Sequence, residues 1–349
     1  MSRWNYFLKR LALSVPVVVF GVTITFLIIR MGPLDPAAAI LGSDSTGAEL
    51  DRIRRQLGLH QPFWQQYLQY LYEMFTFQLG DSWVISPGRS AYELIAIYAP
   101  RTIFLGFWSV LIAIFVGIPL GFYAGLHPNT IGAYFASFGG IVWRAMPNFW
   151  LAVILVSVLS QSEQLFGFNF ANWIVETNIV TPPDLSFLSN PMGLLTDPGD
   201  AWPDFFGAFK QTLPAAVVLG SSSMGNEMRI GRTAVLETIN SDYVETARAK
   251  GVSRRILIWK HVFRNALIPL VPIITGEAFI LIGGSVLVET VFAINGLGWL
   301  FFRAAVQADL PLVGSLMFIF ILLLVGLNIL QDLLYTIIDP RVGYESERT

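Results

Sequence analysis

Long apolar runs separated by uneven polar stretches set the pattern of this chain. Six runs are long enough to cross a bilayer, whose hydrocarbon core takes roughly 20 helical residues. They fall at about 11–29, 102–126, 131–160, 213–235, 266–288 and 312–338. Arg144, Pro147 and Asn148 interrupt the third. The fourth carries Ser221, Ser222, Ser223, Asn226 and Glu227, so it is expected to face protein or a water-filled path rather than lipid. Three polar connections are long: 30–101, with a charged helical patch at 49–56; 161–212, rich in Pro, Asp, Asn and aromatics; and 236–265, which is basic. The expected fold is an all-α membrane protein of about six transmembrane helices.

Composition agrees with that pattern. The 349 residues are 54% hydrophobic and only 13% charged, with a mean hydropathy of +0.60. An ordinary soluble domain is about 25% charged. Arg3, Lys9 and Arg10 precede the first run as they would a signal peptide. That run exceeds the roughly 7–15 residues of a signal core, and no small-x-small cleavage site follows Ile29, so it reads as a retained span. If the N-terminus is cytoplasmic, six spans return the C-terminus to the same side. Lys and Arg then concentrate inside, chiefly through Arg229, Arg232, Arg248, Lys250, Arg254, Arg255, Lys260 and Arg264. Segment 161–212 has the opposite bias, with six acidic residues against Lys210, so it and 30–101 are placed outside.

Several chemistries are missing from the sequence. With no cysteine there is no disulfide, thiolate metal site or cysteine nucleophile. None of the four lysines is followed by Ser or Thr, so the phosphate-cradling loop of ATP-binding proteins is absent. His60, His127 and His261 are too scattered for a zinc site, and no GxSxG occurs. A net charge of −2 argues against a nucleic-acid partner.

The basic connection carries the informative segment. Asp242 is expected to cap a short helix, with Glu245 reaching back to it. Ala247 and Ala249 keep its side chains small, and Gly251 is expected to stop it. Small side chains allow a partner's groove to approach closely, while Arg248, Lys250, Arg254 and Arg255 can pair with acids on that partner. A basic surface helix with no partner fits these residues equally well.

Glu245-Thr246-Ala247-Arg248-Ala249-Lys250-Gly251, followed by Arg264-Asn265-Ala266-Leu267-Ile268-Pro269, resembles the EAA loop of ABC importer permeases. It is close to the version found in the dipeptide/oligopeptide/nickel transport family. Gly32-Pro33-Leu34-Asp35-Pro36, Gln78-Leu79-Gly80-Asp81-Ser82, Gly117-Ile118-Pro119-Leu120-Gly121, Gly283 to Phe292 and Asp339-Pro340-Arg341 match the same family in the same order. The likeness covers about 1–160 and 210–343, and the long segment after the first span resembles the "B"-type subunit.

The resemblance implies a type I importer permease fold. It divides the chain into a first helix with its tail (1–31), an external segment (32–98), a five-helix transmembrane domain (99–338) and a cytoplasmic tail (339–349). The five-helix domain holds the external insertion 161–212 and the coupling segment 236–265. The implied role is half of a solute path working by alternating access in the cell membrane, most simply for peptides, with nickel or oligosaccharides as alternatives. Implied partners are a second homologous permease, two ATPase subunits and an external solute-binding protein. The chain itself would be non-catalytic and bind no cofactor, ATP and Mg being held by the ATPases. Coupling to them would fall to Glu245, Ala247, Arg248, Ala249, Lys250 and Gly251. Glu245 departs from the family's pattern, which often has Arg there. Segment 161–212 also departs, as either a modified docking or gating surface or a decorated loop. Arg144, Asn148, Asn226 and Glu277 are the candidate path residues, and Arg144 could instead pair with Glu277. A self-sufficient channel or secondary transporter is the competing reading; it leaves the EAA-like segment without a purpose.

Overall fold

The computed structural model describes residues 3–32, 36–41, 46–56, 58–175, 182–270, 274, 276 and 286–338. Helices dominate, and among the described residues the one strand-like pairing is an isolated bridge between Asp81 and Ser90. The principal helices are α1 (Arg3–Met31), α2 (Phe63–Phe75), α3 (Ala91–Leu126), α4 (Ile131–Ala145), α5 (Asn148–Ser160), α6 (Pro198–Ile239), α7 (Asp242–Ala249), α8 (Leu297–Val306) and α9 (Leu310–Ile338).

Three stretches are long and apolar enough to cross a membrane: Leu8–Met31, Ala91–Leu126 and Leu310–Leu334. The pair α4 and α5 makes a fourth when counted as one broken span. That break falls at the expected interruption. Proline disfavours helical geometry in the residue before it, and Met146 is extended at φ −84, ψ 130. The fourth expected span lies inside α6, whose 42 residues reach about 63 Å, twice the bilayer core. The fifth, 266–288, falls largely outside the described residues.

One expected boundary is corrected. The helix of the second span begins at Ala91, not near Thr102. The polar connection is expected to run to Arg101, yet the helix already holds Glu93 in its first turn and accommodates Pro100. Further along, a π-helical turn at Ala113–Gly117 ends two residues before Pro119, where the helix loses an N–H donor.

The chain divides into two compact units, residues 2–100 with 295–329, and residues 101–294 with 330–349 and Met1. The core of the first is built by Val18, Val22, Leu94, Leu297, Leu300, Leu312, Leu316 and Phe318. Phe26 of α1 lies against Phe63, Tyr67 and Tyr70 of α2, with ring centroids 5.2 to 5.5 Å apart. Helix Gly47–Gln56, the expected charged patch, opens on the glutamate half of a capping box. Thr46 donates its backbone N–H and its hydroxyl to Glu49 at 2.9 and 2.7 Å. These bonds favour the carboxylate and lower its pKa.

The wholly buried Asp309 organises the turn after Leu79 within the same unit. Its carboxylate accepts the Ser82 hydroxyl at 2.5 Å and the backbone N–H groups of Trp83, Val84 and Ile85 at 3.1, 3.0 and 2.9 Å. A buried carboxylate is tolerated when hydrogen bonds replace its water, and here four do so.

Helix α6 is the spine of the second unit. Gly117, Gly121 and Gly125 form a stripe at four-residue spacing on α3, and α6 packs directly onto it. A Cβ at Gly121 would stand 2.6 Å from the Met228 carbonyl oxygen, and one at Gly125 would stand 2.7 Å from Val235. Small residues at this spacing let helix backbones touch. Segment 161–212 is packed where it is described. Phe187 meets Phe104 and Phe205 edge-on, Arg101 donates to the Pro183 carbonyl at 3.1 Å, and Lys210 lies 4.3 Å above the Trp173 ring.

Candidate functional site

Two residues separate α7 from the end of the long helix α6, and Asn240 and Ser241 make the corner. The expected cap is corrected here: Ser241, not Asp242, is the N-cap residue, and its side chain does not cap α7. The Ser241 hydroxyl turns back to donate to the Thr238 carbonyl at 2.6 Å, satisfying the last turn of α6. Asp242 and Glu245 lie in the first turn of α7, where acidic groups meet the positive end of the helix dipole.

The other end stops as the sequence predicts. Gly251 takes φ +75. Its N–H donates to Arg248 at 3.0 Å and the Val252 N–H reaches Ala247 at 3.2 Å, closing the carbonyls that α7 leaves open.

Val244 and Ala247 face inward, joining a core of Ala234, Val235, Leu257, Val262, Ala266 and Leu270. Glu245, Arg248, Ala249, Lys250 and Gly251 face outward and are exposed. Ala247 is thus the seat of the helix, and Ala249 is the small residue that a partner could approach. Arg254, Arg255 and Lys260 are exposed beside this face, as are Ile256 and Trp259, at 51% and 62%. The surface therefore combines cations with large apolar groups.

Sequence reasoning missed the brace that orients this helix. Asn265 donates through Nδ2 to the Tyr243 hydroxyl and to the His261 carbonyl, both at 2.9 Å. The signal was present in the Arg264-to-Pro269 match, since a side-chain amide is suited to join two backbone segments at once.

The described candidate path residues lie on three different helices. Arg144 is exposed in the last turn of α4, and Asn148 is half-buried at the start of α5. Asn226 is half-buried in α6, and Glu277 lies outside the described residues, so its pairing with Arg144 does too. Glu227 lies within α6. It is 1% exposed, and its Oε2 would stand 2.9 Å from a Cβ at Gly117. Trp143 Nε1 donates to the Ser221 hydroxyl at 2.9 Å, tying α4 to α6.

Three further buried polar groups were not foreseen. Glu289 is wholly buried and accepts the Thr102 hydroxyl at 2.8 Å. Trp108 Nε1 and Gln211 Oε1 are buried without hydrogen-bond partners among the described residues.

The family model for the inner membrane component of binding-protein-dependent transport systems matches residues 117–344, and the model for the N-terminal part of such components matches residues 3–83. A putative peptide transport system permease protein of Brucella suis is 35% identical over 97% of this chain and 98% of its own length. The oligopeptide permease AppB of Bacillus subtilis is 31% identical, covering 97% of this chain and 99% of its own. The dipeptide permease DppB of Escherichia coli is 30% identical, covering 98% and 99%. A solved chain of the MetNI methionine ABC transporter in an inward-facing conformation superposes with a TM-score of 0.51. It is 18% identical and covers 71% of this chain and 97% of its own, a likeness of fold. With the matched segments taking in most of the sequence, the chain belongs to the family of inner membrane components of binding-protein-dependent transport systems.

Proposed function

We propose that this chain is the membrane-spanning permease subunit of an ATP-driven peptide importer, forming half of the solute path by alternating access. Full-length similarity to peptide, dipeptide and oligopeptide permeases supports the substrate class. One structural observation carries the coupling role. α7 is a short, braced helix whose outward face offers Glu245, Arg248, Ala249 and Lys250 and ends on Gly251. Its inward face is fixed to the packed ends of the neighbouring helices, so a force on α7 is transmitted to α6 rather than absorbed by a loop.

The partners in this reading are a second homologous permease, two ATPase subunits that bind ATP and Mg, and an external solute-binding protein. The chain holds no nucleotide and catalyses no bond-making. α7 seats in a groove on an ATPase, whose closure on ATP moves α7 and with it α6, alternating the side to which the path opens. Arg144, Asn148, Asn226 and Glu277 are the proposed path groups. Trp108 and Gln211 join them as a buried donor and acceptor able to exchange hydrogen bonds with peptide amides. Both termini lie in the cytoplasm, on the side of the basic segment 229–264.

Labelled-peptide uptake into proteoliposomes tests the reading. The assembled complex with its binding protein is expected to accumulate peptide only with ATP, and the chain alone to accumulate none. ATP-independent uptake by the chain alone would overturn it.

A further inference from the structure

The unit formed by residues 2–100 and 295–329 contains a cavity of about 200 Å³ that no part of the transport reading uses. A single buried water needs roughly 10–15 Å³, so this space holds far more than one. The last turn of α1, the inner face of α2, the turn at Gly80 and the start of α9 form its walls. Phe26, Met74, Leu79 and Pro311 supply apolar surface, while Arg30, Gln69, Tyr70 and Glu73 supply polar groups.

Two of those polar groups are unsatisfied. Arg30 Nη1 and the Tyr70 hydroxyl are buried and have no hydrogen-bond partner among the described residues. Burial raises the Tyr70 pKa, so the phenol stays protonated and able to donate. Both groups can therefore serve an anion. Glu73 faces the same cavity, held by a 2.8 Å hydrogen bond from Gln69. Glu73 lies within electrostatic reach of Arg30, yet no direct ion pair joins them. A guanidinium and a carboxylate that share a partly apolar cavity without touching form a dipolar socket. Direct contact would be the cheaper arrangement if nothing else were to lie between them.

We propose that this cavity is a binding site for a small zwitterion of amino-acid or dipeptide size. Its carboxylate accepts from Arg30 Nη1 and the Tyr70 hydroxyl, and its ammonium faces Glu73. Such a ligand would satisfy the two orphaned donors and pin α1 to α2. The inference does not rest on the transport reading, because binding is measured on the chain without transport.

The full chain in lipid nanodiscs, without partner subunits, is titrated with radiolabelled dialanine, with acetate and methylamine as single-charge controls. Saturable binding of about one dialanine per chain is expected, with each control at least tenfold weaker. Arg30→Gln should weaken dialanine binding at least tenfold, and Tyr70→Phe about fivefold. Tyr70→Phe keeps the ring in its packing and so decides the matter if Arg30→Gln does not fold. Absence of saturable binding to the wild-type chain would overturn the proposal, as would unchanged affinity in either folded variant, or controls that bind as well as dialanine. Because uptake by the assembled complex is measured separately, failure here leaves the permease reading standing, and failure there leaves this site standing.

Discussion

At the scale of single residues, the chain places its most demanding groups where the backbone can serve them. Asp309 has no sequence signature, since the turn it holds lies more than 220 positions away and nothing local to Asp309 marks it. Asp309→Ala removes the acceptor for four donors at once and is expected to destabilise by about 3 kcal/mol or more, read as a lower thermal midpoint in detergent. Asp309→Asn should cost less, because one amide oxygen can keep the three bonds made to Oδ2 and only the Trp83 N–H then meets a donor. Equal losses in the two variants would contradict this. Gly251, by contrast, is legible in the sequence, because a glycine after a short helix is the cheapest way to take φ +75. A Cβ there meets nothing within 4 Å, so the fault of Gly251→Val is in the backbone alone. It is expected to strain the α7 end by about 1–2 kcal/mol and to reduce ATPase co-purification and uptake together. Full retention of both would remove Gly251 from the coupling role.

At the scale of elements, hydropathy located the spans better than it located their ends. The break at Pro147 was legible because Pro, Arg and Asn stand together there. The early start of α3 was not, since the polar connection is expected to run to Arg101, whereas the helix accommodates Pro100. The cap of α7 was misread for a related reason: Ser241 sits between two helices and its hydroxyl serves the earlier one. Two polar residues of the fourth expected span meet protein, Glu227 beside Gly117 and Ser221 beside Trp143, but the glycine stripe that α6 packs against needs a structure to be seen as one surface. A paired substitution tests that packing. Gly121→Val drives a side chain into the Met228 backbone and should cost about 3 kcal/mol or more in thermal unfolding. Gly139→Ala, in the neighbouring helix α4, meets nothing within 4 Å and should be neutral or slightly stabilising. A tolerated Gly121→Val would mean that α3 and α6 do not pack this closely.

At the scale of the whole molecule, the sequence carried the family through a dispersed set of matches, and the comparisons assign the chain to it over nearly its full length. Path residues stayed illegible because a path is a property of helix faces brought together, and single polar positions in a span do not say which faces meet. The surface of α7 was legible because it is local: eight residues, a glycine stop and a basic flank. The absence of cysteine makes that surface directly testable. In the assembled, transport-active complex, Ala249→Cys places one thiol on the outward face of α7, and Ala247→Cys places one on its buried face. A short bifunctional thiol-to-amine crosslinker is expected to join Ala249→Cys to the ATPase subunit, with a yield that changes on adding ATP, and to leave Ala247→Cys unjoined. If Ala249→Cys gives no adduct with the ATPase in a complex that still transports, α7 does not couple the permease to its motor.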